Sequence, residues 1–451
     1  MPNTHLSKME QIPNELLLDV SERVSTKDLC ELSLVCKKLR AVAQEVLHRS
    51  PVIPMTLSWD LSTERCKLSS LLWTFVKRPD LALLVRELEL RPLLLEVDFD
   101  YSILCDSTQR DQALLRSARL KVSEMALAGM ILERVPHLID LHLEVANYFA
   151  QTCHKYDMVR YAHLEAIELL FDEKNSSSLN ETGYRRDLTK IAGLRGLKKL
   201  HLEAAELQWP WAALPSLREI HVNRLCALTD VGTPLSATSH SIRTLTLERN
   251  TSILRRQSVD QPIISFLGRL NGLSKVVVSL SNYIPFNREG TLEIVQNGVE
   301  EPSCDWLLMH LSGVAVTLRA LEINIAEDEH EDGCFLQYVR PASAFSFRKL
   351  QHLKLPHELL APVHEDFQTS GDIASLAPRM LPSSLKTLDV TYPFLAIGEY
   401  MQGICDNENY FQDLKKIGID TRGSRGDGRM KEFYDLPTWN ELTGRGITLA
   451  M

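Results

Sequence analysis

Apolar positions along this chain follow two rules. From residue 12 to 53 they recur at helical spacing, and beyond about residue 85 they repeat as apolar-x-x-apolar-x-apolar. In the first stretch Pro13 suits the opening turn of a helix, where its missing N–H costs nothing, and Leu16, Leu17, Leu18 and Val20 follow it. Ser25 and Asp28 stand at capping-box spacing and open a second helix through Leu29, Leu32, Leu34 and Val35. A third helix starts near Lys37 and sets Leu39, Val42, Ala43, Val46 and Leu47 along one stripe. At 100° per residue, the apolar side chains of the first two helices point around much of the circumference. Three helices in about 40 residues make a marginal core, so the surplus apolar surface predicts a partner, either the remaining chain or another protein.

The second pattern appears eleven times. It runs through Val85/Leu88/Leu90, Leu138/Leu141/Leu143, Leu164/Ile167/Leu169, Leu197/Leu200/Leu202, Leu217/Ile220/Val222 and Ile242/Leu245/Leu247. It continues at Leu273/Val276/Val278, Leu318/Leu321/Ile323, Leu350/Leu353/Leu355, Leu385/Leu388/Val390 and Leu414/Ile417/Ile419. Each copy ends in an alternating segment suited to a half-buried strand, and stretches between copies, such as 112–134 and 261–270, read as helical. Units of this kind cannot bury their faces singly. The expected fold class is therefore α/β: a three-helix domain followed by a solenoid with parallel strands on the concave side and helices outside. The expected divisions are a flexible start at 1–11, the helical unit at 12–53, a connecting helical segment at 54–83, and the repeat domain with a C-terminal cap at 84–451. Within the connector, Leu68, Leu71, Leu72, Phe75 and Val76 form a helix ended by Pro79, and near the C-terminus Trp439, Leu442 and Ile447 supply the plug of the cap.

These residues resemble two families. Ile12-Pro13-Asn14-Glu15-Leu16-Leu17, Asp28-Leu29 and Val35-Cys36-Lys37 are similar, in order and spacing, to the F-box, an adaptor-binding module of ubiquitin ligases. Leu39 and His48 depart from it, standing where aromatic residues are frequent, and are where adaptor contacts are expected to differ. The eleven copies resemble the leucine-rich repeat in an irregular form, with the asparagine that follows the strand in register only at Asn250. The F-box resemblance implies docking on a Skp-type adaptor and, through it, on cullin. Ile12, Pro13, Leu16, Leu17, Leu29, Leu32, Val35 and Cys36 are the expected adaptor contacts, some of which instead hold the helices together. The implied role is the substrate-recognition subunit of an SCF-type ubiquitin ligase; an F-box scaffold that binds the adaptor without cullin-dependent ubiquitination is the alternative.

Composition and candidate chemistry narrow this picture. A formal net charge of -9 argues against broad nucleic-acid binding. No stretch reaches the roughly 18 apolar residues of a membrane span and the N-terminus carries no apolar signal core, so a cytoplasmic or nuclear protein is expected. Nine cysteines without a Cys-x-x-Cys pair indicate neither a disulfide framework nor a zinc ribbon. His357, Glu358 and His364 lack the four-residue histidine spacing of a helical zinc site, and Gly423, Gly426 and Gly428 lack the Lys-Ser/Thr of a phosphate loop. The acidic run at 327–332 reads as a solvated loop. No enzyme activity, cofactor or metal is expected.

The functional surface is instead the exposed side of the strands, whose middle column reads Glu89, His142, Glu168, His201, His221, Thr246, Val277, Glu322, Lys354, Asp389 and Gly418. Its first half is acidic. A protein client with a basic segment is therefore expected there, against Glu168, His201, Glu203, Glu219 and His221.

Overall fold

The computed structural model describes residues 12–51, 67–92, 96–100, 119–144, 188–203, 206–223, 227–229, 238–249, 251–254, 260–280, 303–325, 339, 341–360, 370–393, 396–420 and 434–450. The chain divides into two compact units, Met1–Glu203 with Leu214–Leu217, and Ala204–Ala213 with Arg218–Met451.

The first unit opens with three helices, α1 (Asn14–Ser21), α2 (Thr26–Val35) and α3 (Lys37–Arg49). Ser25 caps α2 as the spacing predicts: the Asp28 amide donates to Ser25 Oγ at 3.2 Å, and that hydroxyl donates to the Asp28 carboxylate at 2.8 Å. The thiol of Cys36 caps α3 by accepting from the Leu39 amide at 3.5 Å. Leu17, Leu39 and Val42 are the buried centre, with Ile12, Leu18, Leu32 and Cys36 packed around them. A helix at Lys67–Lys77 buries Leu68, Leu72 and Phe75, and a short turn of helix at Pro79–Ala82 follows.

Strand β1 (Glu87–Leu90) then begins a ladder. An antiparallel pair, β2 (Glu96–Asp100) and β3 (Arg119–Ser123), lies between it and a helix at Glu124–Leu132. This corrects the helical expectation for 112–134: described residues 119–123 are strand and the helix starts at Glu124. The ladder continues in parallel through β4 (Asp140–Glu144) and β5 (Lys199–Glu203). One hydrogen-bonded line runs along its start. The Arg49 carbonyl at the end of α3 accepts from the Arg86 amide at 2.9 Å, the Arg86 carbonyl from Ile139 at 2.7 Å, and the Ile139 carbonyl from Lys198 at 2.8 Å. The helical module thus occupies the position that a preceding strand would hold, satisfying a backbone donor that would otherwise face solvent or go unpaired.

The second unit contains a short parallel pair, β6 (Glu206–Gln208) and β8 (Ala227–Thr229), and a longer ladder. Its strands are β7 (Glu219–Asn223), β9 (Thr244–Glu248), β10 (Lys275–Leu280), β11 (Ala320–Ile325), β12 (His352–Pro356), β13 (Thr387–Thr391), β14 (Lys416–Asp420) and β15 (Thr448–Ala450), each parallel to the one before. The register places Leu245, Val276, Leu321, Leu353, Leu388 and Ile417 opposite one another in a fully buried row. Helices at Asp260–Gly268, Cys304–His310, Ser370–Met380, Ile397–Asp406 and Pro437–Gly444 alternate with the strands. The helix pair of β13 and β14 packs closely enough that a Cβ on Gly403 would sit 1.9 Å from the Ala374 carbonyl oxygen.

Ten of the eleven sequence copies lie in these ladders, and the copy at Leu164/Ile167/Leu169 falls outside the described residues, as do Asn250, Glu168, His364 and the segments 327–332 and 422–429. Near the C-terminus Trp439 and Leu442 are buried, and the three residues after Ile447 add a strand rather than only a plug. Among the described residues no helix is long and apolar enough to cross a membrane.

Candidate adaptor face and exposed strand columns

The three-helix unit sorts its apolar residues into two sets. Leu17 is 7% exposed and Leu29 4%, whereas Leu16 is 57%, Val20 60%, Leu34 77% and Val35 67% exposed. The reason is geometric. On α1, Leu17 and Ser21 are four apart and turn inward, which sends Leu16 and Val20, also four apart, outward on a stripe shared with exposed Pro13. On α2 the inward row is Leu29, Leu32 and then Cys36, leaving Leu34 and Val35 in solvent. Of the expected adaptor contacts, Pro13, Leu16 and Val35 are therefore on the surface. Ile12, Leu32 and Cys36 are half-buried, and Leu17 and Leu29 are framework. Val20 and Leu34 belong with the exposed set, and their helical phase relative to the buried row was the signal for them.

Leu39 and His48 are less exposed than this set. Leu39 is buried at the centre of the three helices, so a leucine there fills core volume. His48 is half-buried close to Arg78 and Asp80; burial, followed by the Arg78 charge, holds its imidazole below the ordinary histidine range, against a smaller opposing pull from Asp80. Leu39 therefore offers an adaptor no surface, whereas His48 keeps part of its surface exposed.

In the first unit the exposed strand residues form a connected charge group. Glu89, His142 and His201 are register partners on β1, β4 and β5. The His142 and His201 rings lie 5.8 Å apart. Each imidazole meets a carboxylate of the other strand: His201 Nε2 is 3.3 Å from Asp140, and His142 Nε2 is 3.8 Å from Glu203. The Glu203 contact raises the His142 pKa against an opposing desolvation. Arg91 bridges Glu89 at 2.6 Å and Glu144 at 3.2 Å. Desolvation, reinforced by nearby Glu203, raises the carboxyl of Glu144. The acidic character expected here is present, but it is partly neutralised from within.

In the second unit His221 Nε2 donates to the Glu248 carboxylate on the adjacent strand at 2.7 Å, and Lys275 pairs with Glu322 at 2.6 Å. Glu219 is exposed at the start of β7. Among the described residues no group of three or more His, Cys, Asp or Glu is placed to hold a metal ion. His357, whose spacing to His364 does not suit a helical zinc site, is deeply buried beside Glu358, and burial pushes its pKa down to about 4.

Comparison with known proteins adds a family for one region. Residues 9–54 match the F-box-like family. No curated protein matches the chain in sequence. Solved structures with a similar trace include a TLR13 complex with ssRNA13, at 12% identity and a TM-score of 0.32, covering 76% of this chain and 37% of that one. The Rad7–Elc1 complex of yeast shares 13% identity with a TM-score of 0.26, covering 85% of this chain and 90% of that one. An internalin of Listeria monocytogenes shares 12% identity with a TM-score of 0.22, covering 75% and 92%. The chain thus spans little more than a third of the TLR13 chain. What the geometry and the family match establish together is an F-box-like three-helix module followed by parallel-strand repeats.

Proposed function

We infer that this chain is the substrate-recognition subunit of a cullin-based ubiquitin ligase. The observation that carries the reading is the exposed apolar set of α1 and α2, Leu16, Val20, Leu34 and Val35, on a module that matches the F-box-like family. A small module that leaves four large apolar side chains in water while burying their neighbours is arranged for a protein partner. A Skp-type adaptor covers that face and links the chain to cullin. The repeat strands, read as leucine-rich repeats, present a client. No catalytic group is required of the receptor, because holding a client lysine beside a charged carrier raises its effective concentration.

The client-facing residues are Glu168, His201, Glu203, Glu219 and His221, and the client offers a basic segment to them. Co-purification of the full chain with a Skp-type adaptor, followed by mass spectrometry for cullin, tests the reading. Adaptor and cullin together support it, adaptor alone favours the cullin-free scaffold, and neither removes both.

A further inference from the structure

The backbone line that starts the second ladder carries a row of cations. The Arg218 carbonyl accepts from the Arg243 amide, and the chain of bonds passes through Ser274, Arg319, Gln351 and Lys386 to Lys415, each step between 2.8 and 3.0 Å. Seven consecutive strands therefore offer one residue each at the same register position, just ahead of the strand. Five of the seven are Arg or Lys: Arg218, Arg243, Arg319, Lys386 and Lys415. Lys and Arg together are 50 of 451 residues in a chain with net charge -9, so composition does not supply such a row. Four of the five are exposed and Lys386 is half-buried. Among the described residues none of the five pairs with a carboxylate, and Arg243 alone is engaged, donating to the Gly272 carbonyl at 3.1 Å. Glu219 and Asp413 are the acids beside the two ends of the row.

Arg86 and Lys198 hold the same register position in the first unit, where the strand carboxylates are in turn neutralised by Arg91, His142 and His201. Strands are ~4.8 Å apart, so successive cations are one or two strand spacings apart, ~5 to ~10 Å and within about one screening length at moderate salt. They repel one another and act jointly on any anion laid across them. Nothing in the packing of the ladder requires that repulsion, because the side chains lie outside the buried rows. Six strand steps span ~29 Å, the length of roughly nine residues of extended peptide at ~3.3 Å per residue.

We propose that this edge of the second unit is a docking surface for an extended acidic protein segment, its Asp and Glu carboxylates meeting the Arg218–Lys415 row as Glu322 meets Lys275 within the ladder. The row shares no residue with the adaptor set or with the client-facing set, of which Glu219 adjoins its first member, and its test needs neither partner. The full chain is titrated into fluorescein-labelled twelve-residue peptides of one sequence bearing alternating Asp/Glu, phosphoserine, or unmodified serine. The Asp/Glu peptide is expected to bind at least tenfold more tightly than the serine peptide and to weaken as salt rises, and tighter binding of the phosphoserine peptide overturns the proposal. Arg319→Glu/Lys386→Glu, with an unchanged circular dichroism spectrum and melting temperature, is expected to lose at least tenfold in affinity. Arg319→Lys and the F-box variant Lys37→Glu are expected to retain it. Equal binding of the serine peptide, undiminished binding by the double reversal, or tighter binding of a twelve-nucleotide RNA overturns the proposal.

Discussion

Leu16 and Leu34 allow adaptor docking to be separated from folding. Full burial of a leucine side chain is worth about 1.5–3 kcal/mol relative to water. With 57% and 77% of their surface still exposed, the two residues would gain about 1–2 kcal/mol each on being covered. Alanine keeps only the first methyl of that, so Leu16→Ala/Leu34→Ala removes about 2–3 kcal/mol of docking energy, roughly 30- to 150-fold in Kd. The same substitutions lie outside the core and should change stability by less than about 0.5 kcal/mol each. Leu29→Ala is the opposite case. It empties a site that is 4% exposed, at a cost of about 2–5 kcal/mol, which a three-helix module cannot spare. Isothermal titration of the full chain against a purified Skp-type adaptor, with a parallel thermal melt, reads both quantities. The double alanine variant should melt as the wild type does and bind 30-fold or more weakly, whereas Leu29→Ala should lose helicity in the module. Wild-type affinity in the folded double variant would show that this face is not the adaptor contact.

Other predictions follow from single sites. Reversal of Glu203 and Glu219 to Lys should weaken capture of a basic client at least fivefold in pull-downs, and unchanged capture would remove the acidic columns from the client site. His357 has a folded pKa lowered to about 4, so its contribution to stability is full above its ordinary value near 6.5 and lost as pH falls from there towards 4. The loss approaches about 3 kcal/mol below that range, and denaturant titrations at pH 7 and pH 4.5 should show a smaller difference in His357→Leu than in wild type. Gly403→Ala forces a Cβ against the Ala374 carbonyl and should cost about 1–3 kcal/mol, read as a lower melting temperature; an unchanged melt would mean the two helices part freely. Because Glu203 raises the His142 pKa, the charge of that imidazole is held at pH below 6.5 and lost as pH rises through its folded value. Glu203→Gln should therefore lower the His142 titration midpoint observed by NMR, and an unmoved midpoint would show that the pair does not act.

Much of this was written in local pattern. A run of Leu-x-x-Leu-x-Leu determines a strand whose alternate residues are buried, and ten copies appear where the spacing put them. Ser25 and Asp28 determine a helix start through two hydrogen bonds that need no tertiary help. Strand β15 was hidden, because Thr448-Leu449-Ala450 is too short to show a period and is defined by β14 alongside it. β3 was hidden for the same reason: its partner β2 is twenty residues away, and local periodicity cannot see across that gap.

The adaptor face marks the division most clearly. Sequence by itself determined that α1 and α2 carry more apolar surface than they can bury, since that depends only on residue type and helical period. Which leucines would be spared for a partner was decided when α3 packed against both helices and drew Leu17 and Leu32 towards Leu39 and Val42, with Leu29 also buried and Leu16 and Leu34 left in water. The cation row is the same lesson at longer range. Arg218 and Lys415 are 197 positions apart, and only parallel hydrogen bonding at a fixed strand spacing turns five separated charges into a single edge.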